Sequence, residues 1–182
     1  GDAKDKLVNA SLIAMEFQSM LPEKERPEHT EGYEGFYHLD EMEGSVDNAK
    51  LHYLLRDHDL KKLEERKTVI NDIAQKLNKK YGDNTVRVEI TDSYYNMIEQ
   101  IKPHWHLIDI ACEAIRELGG TPISEPVRGG TDGARLSFMG LPCPNLGTGS
   151  HNHHGKSEFA CIQAMDKCVE LLIKIAVKYA ER

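Results

Sequence analysis

The stretch Ala49-Lys50-Leu51-His52-Tyr53-Leu54-Leu55-Arg56-Asp57 sets Ala49, Leu51, Tyr53 and Leu55 in alternation with Lys50, His52 and Arg56. A period of two with one apolar side is the mark of a half-buried strand. Residues 35–42, just upstream, are rich in β-formers, so the two segments read as an antiparallel pair around Glu43-Gly44-Ser45. Helical stripes flank the pair. Leu7, Ala10, Ile13, Ala14, Phe17, Met20 and Leu21 share one helix face that Pro22 ends, and Leu60, Leu63, Ile70, Ile73, Ala74 and Leu77 form a second. Val86, Val88 and Ile90 alternate as a further strand. The order is αββαβ: a βαββαβ unit, two helices on one face of an antiparallel sheet, without its leading strand.

Beyond Tyr94-Tyr95-Asn96 the texture changes. A helix led by Pro103 carries Leu107, Ile110, Ala111, Ala114 and Leu118 and stops at Gly119-Gly120. Short strands are expected over 123–127 and 143–146, with a short helix after Asp132. A final helix over 158–180 is expected to bury Ile162, Met165, Val169, Leu172, Ile173 and Ala176. Strands alternating with helices suggest part of a parallel α/β layer, one that leaves apolar surface uncovered.

Composition narrows the function classes. The 182 residues hold 23 Lys plus Arg against 30 Asp plus Glu, a net charge of −7, which provides no broad cationic face for nucleic acid or an anionic membrane. No apolar run approaches the roughly 18 residues of a membrane span, and no secretory leader is evident, so a cytoplasmic protein is expected. Cys112, Cys143, Cys161 and Cys168 match no CxxC zinc knuckle or disulfide scaffold and read as reduced thiols.

Three places carry the residue types of a site. In Arg128-Gly129-Gly130-Thr131-Asp132-Gly133-Ala134-Arg135, the glycines let a ligand approach backbone N–H groups at a helix start, although capped turns without ligands use the same pattern. The loop from Gly147 to Glu158 holds His151, His153 and His154. Neutral imidazole is a common metal ligand, but adjacent side chains such as His153 and His154 seldom reach one ion. The loop thus offers one ligand, or else a polar surface. Arg56 ends its strand where a guanidinium can clamp a carboxylate through two parallel hydrogen bonds; the other reading pairs it with Asp57, an acidic residue placed to cap the next helix.

Longer blocks are more specific. The segments Glu31-Gly32-Tyr33-Glu34-Gly35-Phe36-Tyr37-His38 and Asp92-Ser93-Tyr94-Tyr95-Asn96-Met97, and the block that runs from Arg128 through Gly130 and Gly140 to Leu146, resemble the di-zinc exopeptidase family. That family also holds glutamate carboxypeptidase and succinyl-diaminopimelate desuccinylase. Within it, the similarity is to the enzymes that release the N-terminal residue of tripeptides.

The resemblance implies an α/β fold in which residues 1–101 are a lid and dimerisation domain of βαββαβ type lacking its first strand. Residues 102–182 would be the C-terminal part of a parallel α/β catalytic domain. It further implies a two-zinc centre, a tripeptide substrate and a homodimer through the lid. By motif, His154 corresponds to the last zinc ligand and Arg56 to the lid arginine that grips substrate. Gly130 and Thr131 line the substrate cleft, with Arg128 at its entrance. The remaining metal ligands and the glutamate general base have no counterpart, so no catalytic residue is assigned and the isolated chain is expected to be inactive. Two departures stand out: Ser150 replaces a usual glycine and His153 a usual aromatic residue. The alternatives are a dimerisation or binding module, and a stand-alone metal-binding protein that uses the histidine-rich loop.

Overall fold

A computed structural model describes residues 2–181 of the chain. They form two compact units that divide between Asn96 and Met97.

The first unit contains α1 (Ala10–Met20), β1 (Phe36–Gly44), β2 (Ala49–Arg56) and α2 (Leu60–Tyr81). Helix α1 starts where the Asn9 side chain accepts the N–H groups of Ser11 and Leu12, and α2 starts where Asp59 accepts that of Lys62. Each cap satisfies donors that the first helical turn leaves over. Gly82, at φ 115°, ends α2 in a conformation that other residues adopt only under strain. Strands β1 and β2 pair antiparallel, Phe36 opposite Arg56 and Gly44 opposite Ala49, with one irregularity between Leu39 and Glu41.

Both helices bury the middle of their apolar stripes against the hairpin, but Leu7 lies before α1 and, like Met20 and Leu60 near the helix ends, is exposed because no part of the core reaches it. Ile13, Phe17, Leu21, Ile70, Ile73 and Leu77 meet Tyr37, and Leu51, Tyr53 and Leu55 pack around them from one side of β2. Burying each such side chain is worth about 1.5–3 kcal/mol, which is why the period-two and period-3.6 patterns could be read together.

The strand expected at Val86, Val88 and Ile90 does not form: Val86 and Val88 pack on the core, but the segment has no ladder. A strand needs a neighbour for its backbone groups. Here the Asn78 amide fills that place, accepting the Val86 N–H at 2.7 Å and donating to the Val86 carbonyl at 2.9 Å.

Packed under β2 is a buried ion pair. Asp57, with a side chain only 2% exposed, accepts the Arg66 Nε–H at 2.9 Å. Arg66 also binds Glu25 and lies over the Tyr37 ring at 4.9 Å. A Cβ on Gly35 would collide with the Asp57 carboxylate and the Arg56 carbonyl, so only glycine fits there.

The second unit contains α3 (Ile98–Ile101), α4 (His106–Glu117), α5 (Asp132–Phe138), α6 (Ile162–Ala180) and a two-residue antiparallel pair, β3 (Ser150–His151) with β4 (Phe159–Ala160). Helix and strand together keep the α/β class, but residues 123–127 and 143–146 form no strands. Side chains take over their backbone groups in part: buried Ser137 accepts the Cys143 N–H at 3.0 Å and donates to the Gly133 carbonyl.

Helix α6 starts at Ile162 rather than 158, and the expected burial of its stripe is not found. Ile162, Leu172 and Ile173 are 70%, 55% and 61% exposed. Among its described residues the unit's strands are only the two-residue pair β3–β4, too small to cover that face. Helix α6 packs on α4 with Leu171 and Ile175 half-buried, and ion pairs add to that contact: Lys174 with Glu117, and Lys178 with Glu113 and Glu117. Among the described residues no helix is long and apolar enough to cross a membrane.

Two outcomes follow for stability. Hydrogen bonds from Lys80, then Tyr81, hold the Glu16 carboxyl below its ordinary value. A depressed carboxylate stabilises above its unfolded value, about 4.3, and loses that contribution as pH falls through the folded value. Acid titration followed by circular dichroism should therefore show a shallower loss of stability below about pH 4.3 for Glu16→Gln than for wild type. Arg66→Met leaves the Asp57 carboxylate buried and unpaired and should cost about 3–5 kcal/mol in urea denaturation.

Candidate functional site

Arg56 closes β2, and its surroundings decide what it can do. Asp57 is committed to Arg66 and to the Asp59 N–H, so it neither neutralises Arg56 nor caps α2. Asp59 makes that cap instead. The Arg56 guanidinium lies 4.7 Å from the Tyr94 ring centroid, and Nη1 donates to the Leu55 carbonyl at 3.2 Å. Among the described residues it has no carboxylate partner within ion-pair distance. A held, un-neutralised guanidinium is a receptor for a carboxylate, because both oxygens can accept from its fork.

In the second unit, Thr131 is the cap of α5, its hydroxyl accepting the Ala134 N–H at 3.2 Å. Gly133 sits so close to the next loop that a Cβ would meet the Cys143 carbonyl and the Asn145 side chain, which fixes the path of that loop. Arg128 is half-buried and Gly130 exposed at the approach to α5. With seven residues and a cap already using a donor, α5 is a weak anion cradle by itself.

The histidine-rich loop hangs between β3 and β4. His151 stacks on Phe159 at 5.1 Å, and His153 Nδ1 lies 3.7 Å from Glu158. His154 is exposed at φ 64°, its backbone N–H donating to Glu158 at 3.2 Å. That left-handed conformation is uncommon for a residue with a side chain. Gly149, at φ 78°, abuts Ala164 where a Cβ would clash. An open hollow of about 440 Å³ brings Thr131 together with Asn145, Gly149, His151 and His153.

The structure therefore joins the Thr131 turn to the histidine loop, while Arg56 belongs to the first unit. Among the described residues, no three His, Cys, Asp or Glu side chains converge as a metal site. The histidine loop gains no support as a self-sufficient chelator. Two residues carried no role in the sequence reading: Arg66, one cation among many on the polar side of α2, and Tyr94, quoted only within a motif. Their importance lies in contacts across the chain, which no local pattern reveals.

Comparison with known proteins gives the family context. Residues 1–85 match the family model described as peptidase dimerisation domain, M20_dimer. Over all 182 residues the chain is 54% identical to Peptidase T of Caldanaerobacter subterraneus subsp. tengcongensis, covering 44% of that protein. It is 52% identical over 181 residues to Peptidase T of Clostridium novyi, again 44% of the relative. A solved tripeptidase from Staphylococcus aureus subsp. aureus Mu50 shares the fold, with a TM-score of 0.63 at 20% identity, over 99% of this chain and 48% of that one. The chain spans less than half the length of these relatives. Its similarity to peptidase T nevertheless runs from end to end, and residues 1–85 are similar to a peptidase dimerisation domain.

Proposed function

We propose that this chain supplies the dimerisation domain, over 1–101, and the C-terminal part of the catalytic domain, over 102–182, of a zinc-dependent aminotripeptidase. The whole protein would release the N-terminal residue of tripeptides in the cytoplasm, acting as a homodimer. The observation that carries this reading is the 54% identity to Peptidase T over the full chain.

Each assigned residue has a distinct task. Arg56 binds the free carboxylate of the peptide, which its lack of an ion-pair partner among the described residues favours. Gly130 and Thr131 line the cleft, and Arg128 stands at its entrance. His154 is one zinc donor. When bound, a zinc pair polarises the scissile carbonyl and lowers the pKa of water. One imidazole does not make such a centre, since each ion needs three or four donors. The residues of this chain alone therefore do not fit the metal pair, and hydrolysis depends on groups from the rest of the protein.

Two measurements test this reading. In the full-length protein, Arg56→Ala should lower kcat/KM for tripeptides by about 1.5–3 kcal/mol, the worth of a charged hydrogen bond; an unchanged value removes the assignment. The isolated chain, incubated with trialanine and zinc, should show no turnover. Hydrolysis at ordinary enzymatic rates, or two tightly bound zinc ions per chain, overturns the division of labour.

A further inference from the structure

Arg56 poses a physical problem. A guanidinium that finds a carboxylate of its own chain is neutralised by it and is then a poor receptor for another carboxylate. The first unit avoids this by occupying the nearby acids. Asp57 is held by Arg66, and Asp92, two residues before Tyr94, is held by Lys67 at 2.6 Å and by the Tyr95 hydroxyl at 2.7 Å. What remains against Arg56 is the face of Tyr94, 4.7 Å from the guanidinium carbon. An aromatic face attracts a cation through its quadrupole and leaves the positive charge intact.

We infer that Tyr94 is a positioning residue: its ring seats the Arg56 guanidinium in place of a counter-ion and so keeps the charge and hydrogen-bond fork available to a substrate carboxylate. This rests on the proposed role of Arg56. The ring, not the hydroxyl, does the positioning, because the Tyr94 hydroxyl is buried without a hydrogen-bond partner among the described residues. Burial also pushes the phenol pKa up, so no competing negative charge develops there near neutral pH. The backbone bond from Arg56 Nη1 to the Leu55 carbonyl occupies a single donor of the five that a guanidinium carries. Among the described residues the others remain to meet a ligand.

The test uses the full-length protein with two probes, trialanine and its C-terminal amide, which differ only in the carboxylate. Tyr94→Ala should raise KM for trialanine, lowering kcat/KM by about five- to thirty-fold, the range of a partly desolvated cation–π contact, while the amide reacts as with wild type. Tyr94→Phe should restore the preference for the free acid. Equal losses on acid and amide would show a merely structural role and overturn the inference, as would a Tyr94→Phe variant as impaired as Tyr94→Ala. Arg56→Ala separates the two levels. If it abolishes the acid preference while Tyr94→Ala leaves it intact, only the positioning role falls; if it leaves the preference unchanged, the reading of Arg56 itself falls, and the inference with it.

Discussion

The first unit depends on a charge pair that is almost out of water. Asp57 follows the strand-ending Arg56 in sequence but turns to Arg66 on α2, nine residues on, and is nearly fully buried there. Burying a carboxylate is costly unless a cation and further hydrogen bonds satisfy it. Arg66 supplies the cation, the Asp59 N–H a further bond, and Glu25 with the Tyr37 ring fixes the guanidinium from the other side. The absence of a side chain at Gly35 makes the room. With Asp57 so committed, its neighbour Arg56 keeps a free charge.

With Arg56 in its proposed role, that arrangement would link folding to recognition. The same turn that hands the chain from β2 to α2 separates two arginine roles: one guanidinium is neutralised and structural, the other is seated on an aromatic ring. Specificity for a peptide's carboxylate would then come from a charge kept un-neutralised by the packing of its neighbours.

The second unit shows the opposite balance. Of its helices only α5 has a side-chain N-cap, the stripe of α6 that holds Ile162, Leu172 and Ile173 is exposed, and lysine–glutamate pairs add to the packing of α6 on α4. Exposed pairs of that kind are worth about 0–1 kcal/mol each, much less than a buried stripe would be. The segments expected as strands stay irregular for a related reason. An extended segment becomes a strand only beside another whose backbone groups it can meet, and Ser137 and Asn78 show side chains taking those groups when no neighbour is present.

Local periodicity was enough for the hairpin, α1, α2 and α4, since period two at Leu51, Tyr53 and Leu55 and the helical stripe from Ile70 to Leu77 each report a buried face directly. Motif blocks around Gly35, Tyr94 and Gly130 were enough to suggest a peptidase relative and the types of group that a site would use. Tertiary structure alone decided which acid answers which base. Asp57 adjoins Arg56 in the chain but serves Arg66, and Asp59, not Asp57, caps α2. It also decided that Val86 would meet an asparagine instead of a strand and that α6 would keep its apolar face exposed. The physical reason is the same throughout: burial patterns repeat along the chain and can be read from it, whereas hydrogen-bond and ion-pair partners are chosen by what folding brings within about 3 Å.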